Sequence, residues 1–128
     1  MFKLCKVVKT TTANIEIVHN QSVILEKAKT KSFFKKAYIL ENSLAIKHLI
    51  CGNNLPVIVD LTKIETVPVL GLYQLIRQKK SSVKASLAFV INSKYKFCLF
   101  KILKMLSKRK KHDFEIFYSR EEAFKWLS

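Results

Sequence analysis

The stretch Pro-Val-Ile-Val-Asp-Leu, residues 56–61, decides the fold. Residues 55–59 are apolar and rich in β-branched residues. Asn53 and Asn54 bound this run in front, and Asp60 and Thr62 bound it behind. An apolar run without polar alternation is typical of a strand buried on both faces, so we expect the central strand of an α/β sheet. Pro56 cannot donate a backbone hydrogen bond and therefore fits only as the first residue of this strand. The chain then leaves the carboxyl edge of the sheet, where ligands and partners usually meet α/β proteins.

Apolar patterns on either side of this stretch predict a mixed sheet with helices packed on it. Two β-rich runs before it, three residues apart, predict an antiparallel hairpin. The alternation of strands and helices after it predicts parallel strands joined by right-handed crossovers. The predicted fold class is α/β, a single mixed β-sheet in the order β-β-α-β-α-β-α-β-α, with one domain over residues 1–128. The predicted strands span residues 14–19, 23–27, 56–61, 86–91 and 114–118, and a frayed edge strand is predicted at 2–8. The predicted helices span 33–51, 68–79 and 93–107, and a last helix follows a capping box at 119–122.

The spacing of apolar residues also predicts how the helices begin and which sides they bury. Ser32 is expected to cap the first helix, and Ser119 is expected to cap the last one in a Ser-x-x-Glu capping box. The first helix is predicted to bury a stripe of Phe33, Leu40, Leu44 and Cys51. The second helix is predicted to bury Val69, Leu72, Leu75 and Ile76. Leu70 and Tyr73 then remain as candidates for exposed apolar surface.

Several classes of protein are disfavoured by the composition. No apolar run approaches the ~20 residues of a membrane span, and lysines interrupt the apolar residues at 1–6, unlike the core of a signal peptide. We therefore expect a cytoplasmic protein. The three cysteines, Cys5, Cys51 and Cys98, are odd in number and widely spaced, which fits neither a disulfide framework nor a metal motif. We therefore expect the cysteines to be buried in the core as small hydrophobic side chains.

The net charge of +15 is the most unusual bulk property of the chain. Such a charge favours contact with something anionic, either nucleic acid, a membrane surface or an acidic protein. The competing interpretation is that the lysines only keep the surface of the protein solvated.

The sequence offers little that indicates catalysis. The three histidines have no carboxylate or cysteine at metal-ligand spacing, and the two glycines do not form a phosphate-binding loop. Asp60 follows the central strand, at a position where catalytic acids occur, but an aspartate there more often caps a turn. We therefore expect a protein that is not an enzyme and that needs no cofactor or metal ion.

The residues around the central strand resemble those of the STAS domain, the SpoIIAA-like fold of anti-sigma-factor antagonists. In that family a strand of the type V-V-L-D-L-S is followed, after a short link, by D-S-S-G-L at the start of a helix. Residues 57–62 (VIVDLT) are similar to the first motif, and residues 68–72 (PVLGL) stand in the place of the second. The ending at 117–127 (FYSREEAFKWL) also resembles the F-x-S-x-E-E-A-x-x-W-L ending of small bacterial STAS/Sec14-like proteins of uncharacterised role.

One departure from the family motif affects the function that the resemblance implies. In the family, a serine of D-S-S-G accepts phosphate from a kinase, whereas Val69 and Leu70 stand at the serine positions here. Neither side chain has a hydroxyl group, so no phosphate can be added there. If the family's interaction surface persists, it has become an apolar patch at Val69, Leu70 and Tyr73, next to Thr66 and the loop at 62–67. The alternative is that Val69 belongs to the core and Leu70 is scattered surface.

The predicted helix at 93–107 carries a second candidate surface. At 100° per residue, one narrow stripe holds only lysines and a phenylalanine, namely Lys94, Phe97, Lys101, Lys104 and Lys108, and Arg109 extends it. Such a stripe can lie on anionic lipid, with Phe97 and Phe100 dipping into the interface. It can equally contact an acidic protein, whereas nucleic acid is disfavoured because no reading motif accompanies the lysines.

Two functions therefore follow from the sequence as hypotheses. The first is a non-enzymatic STAS-like module that binds a protein partner in regulation, through Val69, Leu70, Tyr73 and Thr66. The second is a peripheral module that binds anionic lipid through the basic helix. A homodimer is conceivable in either case, because apolar residues are expected at the surface.

Overall fold

A computed structural model describes residues 7–18, 23–50, 54–82, 86–106 and 114–127 of the protein. Within them, consecutive strands lie side by side in one mixed sheet, in the order β1-β2-β3-β4-β5-β6. Strands β1 to β3 pair antiparallel, and β3 to β6 pair parallel. The predicted hairpin and the predicted parallel part are both confirmed. The strands are β1 (Val7–Lys9), β2 (Ala13–Val18), β3 (Val23–Ala28), β4 (Val57–Asp60), β5 (Leu87–Val90) and β6 (Phe114–Phe117).

The stretch that decides the fold occupies the predicted position. Strand β4 lies between β3 and β5, and each of its residues is buried. Pro56 directly precedes the strand, and its carbonyl accepts a hydrogen bond from the N–H of Ile24 at 2.9 Å. The proline therefore joins the sheet through its acceptor alone, as expected for a residue without an N–H.

Helices cover both faces of the sheet. They are α1 (Lys36–Ile50), α2 (Val69–Ser82), α3 (Lys94–Leu106) and α4 (Arg120–Leu127), and a 3₁₀ turn (Lys31–Phe34) precedes α1. Because successive strand residues point to opposite faces, Val57 and Val59 join the core with α1, α2 and α3, whereas Ile58 joins a smaller core with Ala123 of α4.

The start and the inward side of the first helix differ from the prediction. Phe33 belongs to the separate 3₁₀ turn, and Ser32 lies inside that turn rather than capping α1. The phase counted from Phe33 is therefore wrong for the helix, and Leu40 and Leu44 are exposed. The buried side runs instead through Ile39, Ser43 and Ile46. Cys51 and residues 2–6 of the predicted edge strand lie outside the described residues.

The other helix boundaries are close to the predicted ones, and serine side chains cap α3 and α4. The hydroxyl oxygen of Ser93 accepts a hydrogen bond from the N–H of Lys96 at the start of α3. At the start of α4, the hydroxyl oxygen of Ser119 accepts one from the N–H of Glu122, as the capping box predicts.

A buried ion pair joins α2 to the sheet. Glu26 of β3 accepts a hydrogen bond from the ammonium group of Lys79, with 2.5 Å between Oε1 and Nζ. Both side chains are at least 99% buried. The second carboxylate oxygen of Glu26 has no partner among the described residues. The sequence analysis assigns neither residue a role in the core.

Candidate functional site

The turn after β4 is built on Asp60. One carboxylate oxygen of Asp60 accepts hydrogen bonds from the backbone N–H of Thr62 at 2.9 Å and from its hydroxyl group at 2.7 Å. The other oxygen accepts one from Nε of Arg120 at 2.9 Å. Burial would raise the pKa of Asp60, but the hydrogen bonds from Thr62 and the contact with Arg120 outweigh burial and lower it. Asp60 thus holds the turn as a carboxylate, in agreement with its interpretation as a turn cap.

The loop between this turn and α2 is anchored from both sides. Ile64 and Val67 are buried in the main core, while Glu65 and Thr66 between them are exposed. The side-chain amide of Asn92 donates a hydrogen bond to the carbonyl of Thr62 at 3.1 Å. The loop therefore delivers the chain to α2 at a fixed position relative to β4 and the start of α3.

The first turn of α2 exposes three large apolar side chains. Val69, Leu70 and Tyr73 are 54%, 68% and 43% exposed. Leu70 and Tyr73 are at the surface as predicted, but the inward placement of Val69 is wrong. The buried side of α2 runs through Leu72, Leu75, Ile76 and Lys79, and at 100° per residue Val69 lies about 70° from its middle.

A close contact at Gly71 fixes the same turn of α2. A Cβ atom at this position would lie 2.8 Å from Cβ of Phe34 and 3.0 Å from Cγ of Pro68. Only a residue without a side chain lets the helix approach the 3₁₀ turn so closely. The exposed residues on either side of Gly71 are therefore held on a packed backbone.

The basic stripe predicted for α3 is wrong in its phase. Phe100 is fully buried, with its ring centroid 4.7 Å from that of Phe89, so it cannot reach a lipid surface. Phe97 is half-buried and stacks on Tyr118, with 5.6 Å between the ring centroids. Lys104 is half-buried and forms an ion pair with Glu115 at 2.9 Å.

The outward side of α3 is apolar instead. Its large exposed side chains are Tyr95, Ile102 and Met105, and Cys98 is exposed among them. Lys94 and Lys101 are also exposed and, by helical phase, lie along one side of this apolar strip. Lys108 and Arg109 lie outside the described residues, as does Cys5. The exposure of Cys98 corrects the expectation that the cysteines are buried.

A buried lysine explains why the exposed side of α3 differs from the predicted one. Lys96 is buried, and its ammonium group donates hydrogen bonds to the carbonyl of Leu61 at 3.2 Å and to Oδ1 of Asn92 at 2.8 Å. Burial lowers the pKa of Lys96, and the negative charges of Asp60 and Glu65 offset only part of this effect. The spacing of Asn92 and Lys96, one helical turn apart, is the only signal in the sequence for this arrangement.

The starts of α2 and α3 lie against each other. The hydroxyl group of Tyr95 donates a hydrogen bond to the carbonyl of Val67 at 3.3 Å. The first turn of α3, including Lys94, is therefore a neighbour of the loop that precedes the apolar turn of α2. Sequence reasoning treated these two candidate surfaces as separate.

The described residues hold no cluster of three or more histidine, cysteine, aspartate or glutamate side chains that could bind a metal ion. His48 is at the surface. None of the helices in the described part of the chain combines the length and the apolar character needed to cross a bilayer.

Comparison with known proteins identifies the fold. A crystal structure of an uncharacterised protein of the DUF3478 family from Shewanella loihica PV-4, with a SpoIIAA-like fold, superposes on the whole chain and on 98% of its own length. The TM-score is 0.60 and the sequence identity is 13%. No protein-family model and no curated protein sequence matches the chain. The chain therefore has a SpoIIAA-like fold, as the resemblance around β4 predicted.

Proposed function

We propose that the protein is a regulatory binding module that docks a partner protein on the first turn of α2. The docking patch consists of Val69, Leu70, Tyr73 and Thr66, the residues that the sequence suggested. The observation that carries this proposal is the exposure of three large apolar side chains within residues 69–73, at the start of α2. Apolar groups held together at a surface are typical of interaction sites.

The chemistry around the docking patch favours a partner with an acidic rim. Lys63 in the preceding loop and Lys94 at the start of α3 are both exposed. The net charge of +15 adds a long-range attraction for anionic surfaces and disfavours a second copy of this chain as the partner. Val69 and Leu70 carry no hydroxyl group, so docking is not switched by phosphorylation at the positions where the STAS motif carries serines.

A charge placed in the docking patch tests the proposal. Leu70→Asp is compared with Leu44→Asp, a matched control because Leu44 is 66% exposed on a different helix, α1. Proteins captured by the tagged wild type and both variants from an extract of the source cells are quantified, and the recovered partner is then purified for titration. Burying an aspartate at the centre of an interface is expected to cost ~2 kcal/mol or more, about a thirtyfold loss of affinity.

The expected result is a partner that binds the wild type and the control variant Leu44→Asp equally. The same partner should bind Leu70→Asp at least about thirtyfold more weakly. Recovery of the same proteins by all three forms would contradict docking at α2. Equal loss in both variants would mean that the captured proteins respond to apolar surface in general, which also contradicts the proposal.

Binding to anionic lipid is a second candidate, and it rests on the outward side of α3. Tyr95, Ile102 and Met105 with the flanking Lys94 and Lys101 form an apolar strip edged by positive charge, a pattern of peripheral membrane helices. These residues replace Phe97 and Phe100 of the original hypothesis. Sedimentation with anionic vesicles at low salt is expected to be lost in Lys94→Glu/Lys101→Glu, and failure of the wild type to sediment would end this alternative.

A further inference from the structure

A basic cleft opens at the carboxyl ends of β3 and β4. Its volume is about 240 Å³, and its wall combines the end of the β2–β3 hairpin, the turn after β4 and the start of α4. Ligands of α/β sheets commonly bind at this edge. The charged and amide side chains in the wall are Lys27, Lys29, Lys63, Arg120, Asp60 and Asn14.

The positive charges in this wall exceed the negative ones. Asp60, the one carboxylate among the lining residues, is engaged by Thr62 and Arg120. Lys27 forms an ion pair with Glu16 at 3.4 Å. Among the described residues, no carboxylate forms an ion pair with Lys29 or Lys63. The cleft thus holds two lysines whose positive charge no nearby carboxylate balances. Beside them lies the guanidinium group of Arg120, whose Nη atoms carry four N–H groups in addition to the one that binds Asp60.

A second cleft of about 290 Å³ adjoins the first and shares Lys29 and Lys63 with it. It adds Lys31 to the basic groups and Glu65 as a further carboxylate. Lys29 and Lys63 therefore stand at the junction of both spaces, where an anion would neutralise their mutual repulsion.

We propose that this cleft binds a phosphate monoester, with the phosphate group between Lys29, Lys63 and Arg120. Phosphate matches the site because lysine and arginine N–H groups bind its oxygens by charge-assisted hydrogen bonds. The ligand is either a soluble molecule or a lipid headgroup that presents the same group. Lys63 also borders the docking patch, but none of the four patch residues lines this cleft. Leu70→Asp therefore tests docking and leaves the cleft residues unchanged.

Calorimetric titration with glycerol 3-phosphate at low ionic strength tests the site, with glycerol as the ligand that lacks phosphate. The variant Lys29→Gln/Lys63→Gln removes two charges from the cleft. Lys36→Gln/Lys47→Gln is the matched control, because both lysines are exposed on α1 and the net charge changes equally. All forms are checked for unchanged thermal unfolding, since the substituted side chains are exposed.

We expect the wild type and the control to bind glycerol 3-phosphate alike and the cleft variant to bind it at least about tenfold more weakly, ~1.4 kcal/mol. Vesicles with phosphatidic acid and vesicles with phosphatidylserine at equal charge form the second arm. Stronger binding to phosphatidic acid vesicles than to phosphatidylserine vesicles, without binding to glycerol 3-phosphate, would assign the phosphate to a lipid headgroup. This preference should be lost only in the cleft variant. Absence of binding in both arms, or equal weakening by both double variants, would overturn the proposal.

Discussion

Removing one partner of the buried Glu26–Lys79 pair is expected to destabilise the fold strongly. Both side chains are at least 99% buried, and Nζ of Lys79 lies 2.5 Å from Oε1 of Glu26. In Lys79→Met the carboxylate of Glu26 would remain in the core without its counter-charge. Loss of one partner of a buried pair typically costs 3–5 kcal/mol, so the free energy of unfolding should fall by about 4 kcal/mol. That is a large part of the 5–15 kcal/mol that holds a domain of ordinary size together.

The double variant Glu26→Met/Lys79→Met separates the loss of the pair from the exposure of a single charge. Replacing a buried pair by apolar residues of similar volume is often neutral or stabilising by about 1–4 kcal/mol. We therefore expect the double variant to regain most or all of the stability that the single variant loses. Lys27→Met serves as the control, because Lys27 pairs with Glu16 at the surface and exposed pairs contribute about 1 kcal/mol or less.

Urea denaturation followed by circular dichroism measures these free energies, since the midpoint and slope together give the free energy of unfolding. The reasoning is refuted if Lys79→Met costs no more than Lys27→Met. It is also refuted if the double variant is as unstable as Lys79→Met, because the cost would then come from lost packing of the lysine stem.

Three further outcomes are expected. Gly71→Ala should lower the free energy of unfolding by about 1–3 kcal/mol, because the new Cβ would lie 2.8 Å from Cβ of Phe34, and denaturation measures it. Phe100→Ala should cost about 3–5 kcal/mol because the ring is fully buried, and a cost below about 1 kcal/mol in the same assay would contradict its place in the core. Since folding lowers the pKa of Asp60, its contribution to stability is present above its ordinary value of 3.8 and is lost as the pH falls through the folded pKa. Asp60→Asn should therefore flatten the acid limb of the stability–pH profile, and an unchanged limb would speak against this role.

The sheet could be predicted from the sequence because its signals are local. Residues 55–59 form a continuous apolar run, and the strands of the hairpin show β-rich patterns separated by a turn-like cluster. Those patterns fix which residues point to each face. The fold around β4 was therefore predictable, together with its resemblance to SpoIIAA-like proteins.

The faces of the helices could be predicted only in part. Apolar residues occur on nearly every side of α3, so only its lysines indicate which side is exposed. Lys96 breaks that rule, because the carbonyl of Leu61 and the amide of Asn92 satisfy its ammonium group inside the protein. Phe100 then turns inward, and the surface prediction that used it fails.

The Glu26–Lys79 pair could not be predicted, because its members are 53 residues apart in the chain. Neither residue has a local pattern that marks it as buried. Only the packing of α2 on β3 brings the two charges together. The exposure of Val69 had a similar origin, since the side that α2 buries is set by tertiary contacts that include Lys79.

The two fixed points of α2 have a consequence for how the helix can recognise another molecule. Gly71 holds the front of the helix against Phe34, and Lys79 ties its rear to Glu26, so the segment between them has little freedom to shift. A surface that is already ordered loses little conformational entropy when it associates. Loosening either fixed point should therefore slow the formation of a complex or shorten its lifetime, even though neither residue would touch the bound molecule.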